Sequence, residues 1–167
     1  MQKVLISLLL CLILVGCGQK QEKQEQIIST ETSYSSAFKK FMQQDDKLYV
    51  VNFWATWCVP CVKELPNFMK VDEEFKNEKN FKMILISMDK MADFESKVKT
   101  FVKENNITPD VYLLSDNKKM NEWIPKIHPN WSGAIPATAM YKNGKRVFFH
   151  EGTLTYEELK TIVNNHL

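Results

Sequence analysis

Trp57-Cys58-Val59-Pro60-Cys61 stands between an apolar run, Leu48 to Trp54, and a stretch that carries Cys61, Leu65, Phe68, Asp72 and Phe75 at helical spacing. The first reads as a buried strand and the second as a helix packed on it. Two thiols separated by two residues at such a junction can close into a small disulfide ring and reopen. A chain built around this segment must therefore place a strand end and a helix start side by side, which is the local geometry of a layered α/β protein.

The rest of the chain alternates in the same way. Ser33 or Ser35 is positioned to cap a short helix carrying Phe38, Phe41 and Met42. Phe81 to Met88 reads as a second buried strand, Ala92 to Asn105 as a helix with Phe94, Val98, Phe101 and Val102 inward, and Asp110 to Leu114 as a third strand. Asn117 to about Ile127 reads as a short helix ended by Pro125 or Pro129, and Pro66 interrupts the helix that follows the cysteines. Ala137 to Tyr141 and Arg146 to His150 predict a hairpin, because Asn143-Gly144 is a strong turn signal. Thr155, with Glu158 three residues on, predicts a capping box opening a final helix. Alternating strands and helices imply parallel pairing with helices on both faces, and the hairpin adds antiparallel strands.

The chain starts with one lysine, Lys3, and an apolar stretch from Val4 to Val15. That stretch is shorter than the about 20 residues of a bilayer span and has the form of a secretory signal. Leu14-Val15-Gly16-Cys17 resembles the lipobox of bacterial lipoproteins. The expectation is a signal peptide at 1–16 and a mature chain lipidated at Cys17, anchored to the membrane and facing outside the cytoplasm in the periplasm or at the cell surface. Ordinary secretory cleavage near Gly16 or Gly18 is the alternative. Residues 17–33, rich in Gln, Lys and Glu, read as a flexible tether with a reach of about 20–25 Å. Residues 34–167 are expected to form the domain.

Of the four cysteines, Cys11 leaves with the signal and Cys17 carries lipid, so Cys58 and Cys61 stand alone and no disulfide framework is available. A ring so small constrains the unfolded chain little, so exchange suits the pair better than stapling. Two other readings remain at this point: a zinc half-site, for which His128, His150 and His166 lack the short ligand spacing, and an inert packed pair. A net charge of +2 with no basic cluster gives no argument for nucleic acid.

Phe53-Trp54-Ala55-Thr56-Trp57-Cys58-Val59-Pro60-Cys61, Pro66, Gly133-Ala134-Ile135-Pro136 and Tyr141-Lys142-Asn143-Gly144-Lys145 resemble the thioredoxin superfamily in order and spacing. The strand and helix between the cysteine helix and Pro136, with the lipoprotein-like start, resemble the membrane-anchored TlpA/ResA-type thiol–disulfide oxidoreductases. The resemblance implies a thioredoxin-like α/β fold, a central mixed β-sheet flanked by helices with a TlpA-type strand–helix insertion. It also implies a protein-disulfide reductase whose only redox group is the Cys58–Cys61 dithiol, with no metal or other cofactor. Client proteins bearing disulfides, apocytochrome c among them, and a membrane electron-donor protein are the implied partners.

Within that reading each residue has a task. Cys58, at the start of the helix, meets unpaired N–H groups and the positive dipole end, so its thiolate is favoured and it is the attacking sulfur. Cys61, one turn deeper, resolves the mixed disulfide. Pro60 suits the first helical turn, and neither it nor Val59 offers charge or a donor to a thiolate, which favours a reducing couple. Asn52 stands where thioredoxin carries a titrating aspartate and cannot titrate. Glu64, three residues past Cys61, is the expected replacement for proton transfer, a solvated helix glutamate being the alternative. Ile135-Pro136 resembles the cis-proline loop that faces the dithiol, with the Ile135 backbone pairing to an extended substrate. Trp57 is expected exposed as an apolar wall and Trp54 in the core. Trp123 and Trp131 are expected either to line a partner groove or to pack helices. Met83, Met88, Met91 and Met140 read as core filler. The rival functions are a thioredoxin-like binding module with a non-catalytic dithiol and a thiol peroxidase.

Overall fold

The computed structural model describes residues 25–167, so the expected signal peptide, Cys17 and the first part of the expected tether lie outside the described residues. Six strands form one mixed sheet in the order β1-β4-β3-β2-β5-β6. They are β1 (Ile28–Glu31), β2 (Leu48–Trp54), β3 (Phe81–Ser87), β4 (Asp110–Leu114), β5 (Ala137–Lys142) and β6 (Lys145–Glu151). The pairs β1–β4, β4–β3 and β3–β2 are parallel, and β2–β5 and β5–β6 antiparallel. Every residue of β2 is buried, as a strand with neighbours on both edges and helices on both faces requires.

The helices are α1 (Tyr34–Phe38), α2 (Val59–Phe75), α3 (Lys99–Glu104), α4 (Met120–Ile127) and α5 (Tyr156–His166). On one face, Phe68 and Val71 of α2 and Leu159 and Val163 of α5 pack against Leu48, Val50, Met83 and Met140. On the other, α1 and α4 join the larger cluster around Val51, Phe53 and Tyr141, with the Phe41 and Tyr141 rings 5.0 Å apart. Helix α3 and strand β4 form the expected strand–helix addition and carry the sheet outward to β1. The Phe101 ring of α3 rests 5.2 Å from Trp54. Asn143 and Gly144 both take positive φ, 51° and 68°, as a two-residue hairpin turn requires. Thr155 and Glu158 make the reciprocal capping box. Among the described residues no helix is long and apolar enough to cross a membrane.

Three expectations are corrected. The expected tether runs too far, because residues 28–31 form β1. The Gln26 amide donates to the carbonyls of Ile107 and Pro109, and the Ile27 N–H to Asp110. An edge strand gains its stability from the backbone of its neighbour, which the composition of a polar segment does not reveal. Met42 is 40% exposed and lies beyond the end of α1 at Phe38. Met91 is 45% exposed rather than core. The helix expected over 92–105 opens with a 3₁₀ turn at Met91–Asp93 and a π turn at Phe94–Val98, and the first of these turns Met91 outward. Of the two prolines expected to end the helix after Asn117, Pro125 lies inside α4, and it is Pro129 that follows the helix end at Ile127.

Candidate active site

Parallel β2 and β3 end at the same edge of the sheet, with Trp54 opposite Ser87, and α2 begins there. Ala55 to Cys58 make a turn closed by Cys58 N–H donating to the Ala55 carbonyl at 3.1 Å. Cys58 then caps α2. Its sulfur accepts from the Cys61 N–H at 3.4 Å, and Pro60 falls in the first turn, where a missing N–H costs nothing. Cys58 and Cys61 are joined in a disulfide with an S–S distance of 2.00 Å, and both are buried. On reduction, the same helix start would present N–H groups to a Cys58 thiolate. Trp57 and Val59 bracket Cys58 and are 64% and 63% exposed, so the dithiol is reached across an apolar surface.

Glu64 lies one turn beyond Cys61 and is only 3% exposed. Its carboxylate accepts from the Asn52 side-chain amide at 2.9 Å and from the Leu154 N–H at 3.0 Å. Burial pushes this carboxyl up to about 7, against the opposing pull of those two donors. Glu64 is thus no solvated helix glutamate. Asn52, fully buried on β2, also donates to the Thr138 hydroxyl at 3.2 Å, while its own carbonyl oxygen has no partner among the described residues.

On the far side of the dithiol, the Ile135 carbonyl oxygen stands 3.6 Å from Cys58 Sγ, and the Ile135–Pro136 peptide is cis. Trp123 and Trp131 do not line a groove. Both are buried, their rings 6.0 Å apart, with Trp131 5.0 Å from Phe53 beneath the Pro136 loop. Trp54 lies in the core as expected.

Asp89 is the residue that sequence reasoning missed. It is fully buried just past β3 and accepts from the Thr56 N–H at 3.0 Å, the Thr56 hydroxyl at 2.6 Å and the Ser87 hydroxyl at 2.8 Å. It therefore holds the turn that presents Trp57 and Cys58. The only signal in the sequence is a carboxylate directly after a buried strand, and nothing local ties it to Thr56.

The AhpC/TSA family model matches residues 26–147, more than half of the chain. Among curated relatives, the thiol-disulfide oxidoreductase ResA of Oceanobacillus iheyensis is 30% identical over 139 residues, covering 83% of this chain and 66% of its own length. Sporulation thiol-disulfide oxidoreductase A of Bacillus subtilis is 28% identical over 74 residues, 44% of each chain. The chain thus spans less than two thirds of the length of either relative. Two crystal structures share the fold. The thiol:disulfide interchange protein of Chlorobium tepidum has a TM-score of 0.60 at 23% identity, covering 79% of this chain and 83% of that one. StoA of Bacillus subtilis has a TM-score of 0.55 at 24% identity, covering 71% and 84%. The sheet and its helices are thioredoxin-like, as the sequence resemblance implied.

Proposed function

The chain belongs to the AhpC/TSA family, and on that premise we propose that it is an extracytoplasmic thiol–disulfide oxidoreductase that reduces disulfides of client proteins through Cys58 and Cys61. The observation that carries the reading is the placing of the dithiol. Cys58 caps α2 with its sulfur on the Cys61 N–H, and Cys61 is buried behind it on the same helix as Glu64. The names of the relatives, thiol-disulfide oxidoreductases, support it.

In the proposed cycle the Cys58 thiolate attacks one sulfur of a client disulfide. The client S–S bond breaks, a mixed disulfide forms, and the departing client sulfur takes up a proton. Glu64 accepts the Cys61 proton, a role suited to a carboxyl that burial brings to about 7. The Cys61 thiolate then attacks Cys58 Sγ, the mixed disulfide breaks, and the second client sulfur leaves and is protonated. Two electrons pass to the client and the Cys58–Cys61 disulfide is left, the state seen in the structure. A membrane electron donor returns the pair to the dithiol. Apocytochrome c is one client that the resemblance suggests. Trp57, Pro60, Ile135 and Pro136 form the client-facing surface. Lipidation at Cys17 would hold the domain at the membrane, and the mass of the mature N-terminus tests it: an unmodified Cys17 ends the anchoring proposal.

The deciding experiment is insulin disulfide reduction by the reduced protein. Wild type should turn over insulin, and Cys58→Ala should lose at least about 10³-fold of that rate, since the attacking thiolate is gone. No insulin reduction by wild type would leave a binding module with a structural dithiol, and direct peroxide consumption without insulin reduction would leave a peroxidase.

A further inference from the structure

Around Pro136 the backbone groups on either side of Ile135 are occupied. Trp131 Nε1 donates to the Ala134 carbonyl at 2.8 Å, and the Ala134 N–H donates to Ser132 Oγ at 3.2 Å. Ser132 is held in turn by Glu151, whose carboxylate accepts from its N–H at 2.9 Å and from its hydroxyl. Pro136 has no N–H, and its carbonyl accepts from the Gly152 N–H at 2.9 Å. The Ile135 N–H meets no acceptor among the described residues, and the Ile135 carbonyl faces Cys58 Sγ, which carries no proton in the disulfide.

The direction of that free N–H follows from peptide geometry. A trans peptide points its C=O and N–H to opposite sides. The cis bond lies at Ile135–Pro136, so the Ala134–Ile135 peptide is trans. Its carbonyl is turned inward onto the indole of buried Trp131, and its N–H is therefore turned outward. The indole cannot follow a drifting carbonyl, because its ring is packed against Phe53 at 5.0 Å, Phe149 at 5.9 Å and Trp123 at 6.0 Å.

We infer that Trp131 is a positioning residue for client recognition: its indole N–H sets the Ala134–Ile135 peptide plane so that the Ile135 N–H donates to a backbone carbonyl of an extended polypeptide carrying the target disulfide. The inference rests on the proposed disulfide exchange and narrows its substrate class. Polypeptide disulfides gain this hydrogen bond, and small disulfides without amide carbonyls do not.

The test compares reduced wild type with Trp131→Phe, which keeps most of the ring packing and removes the donor. The two probes are insulin and bis(2-hydroxyethyl) disulfide. The second-order rate with insulin should fall about three- to tenfold, the span expected for one hydrogen bond, while the rate with the small disulfide changes less than about twofold. Should Trp131→Phe fail to fold, Glu151→Ala loosens the same loop from the exposed side, and the loss should again be confined to insulin, at about two- to threefold. Equal losses on both probes, or no loss on either, overturn the inference. Wild type that reduces the small disulfide but not insulin overturns it too, while leaving dithiol exchange standing. Wild type that reduces neither overturns the proposed function and this inference with it.

Discussion

Two buried carboxylates flank the dithiol segment from different parts of the fold, and they are held differently. Glu64 sits on α2 and meets two donors, the Asn52 amide and the Leu154 N–H, which come from β2 and from the segment before α5. Asp89 sits in the loop after β3 and meets three, two of them from Thr56 alone. At Glu64 the two donors do not offset burial, and the carboxyl is pushed up to about 7, where it can exchange a proton with a thiol. At Asp89 two of the three donors belong to the turn that carries Trp57 and Cys58 and the third to the end of β3, so the carboxylate ties the ends of β2 and β3 together. The same chemical group is suited to proton transfer in one place, the role proposed for Glu64, and to architecture in the other, and the partners decide which.

The largest effect that tests this contrast is expected at Asp89. Asp89→Ala leaves the Thr56 N–H, the Thr56 hydroxyl and the Ser87 hydroxyl without their acceptor in a buried site. Unpaired buried groups cost about 1–3 kcal/mol each, and the two hydroxyls can turn towards other partners. The net loss of unfolding free energy should be about 3 kcal/mol by chemical denaturation. A loss under about 1 kcal/mol would mean that the turn holds itself, and the contrast with Glu64 would lose one side.

These two residues also mark what could be read from the chain beforehand. The Cys58–Cys61 ring, its strand and its helix lie within one continuous segment, and the helical period alone puts Glu64 one turn past Cys61. The hairpin at Asn143-Gly144 and the cap at Thr155 are just as local, and both are found where the residues place them. Asp89 is 33 positions from Thr56, and the bond between them arises only because β2 and β3 end side by side. Trp131 has a local signal for burial but none for its bond to Ala134, since the loop that bends it back has no period. Strand β1 was hidden for a related reason. Its contribution is backbone pairing to β4, and its side chains, ISTE, look like any polar linker.

The smaller effect is expected at Glu64, and its sign is the sharper test. A carboxyl raised from 4.5 to about 7 in the folded state binds its proton more tightly there than in the unfolded chain. Between those two pH values the folded protein carries more protons, so stability falls as pH rises through the window. The interval corresponds to about 3 kcal/mol at 1.36 kcal/mol per pH unit, and rearrangement of the site around the ionised carboxylate is expected to leave about 2 kcal/mol of it. Glu64→Gln is neutral throughout. Its carbonyl can accept from the Leu154 N–H, and its amide can donate to the Asn52 carbonyl oxygen, which has no partner in the present arrangement, once the Asn52 amide turns over. Glu64→Gln should therefore match wild type near pH 4.5 and be about 2 kcal/mol more stable at pH 8.5 by chemical denaturation. The same variant should lose the inflection near pH 7 in the rate of insulin reduction, because the group proposed to take the Cys61 proton is gone. A Glu64→Gln protein that is less stable than wild type at pH 8.5 would make Glu64 an anchor like Asp89, and the distinction between the two carboxylates would disappear.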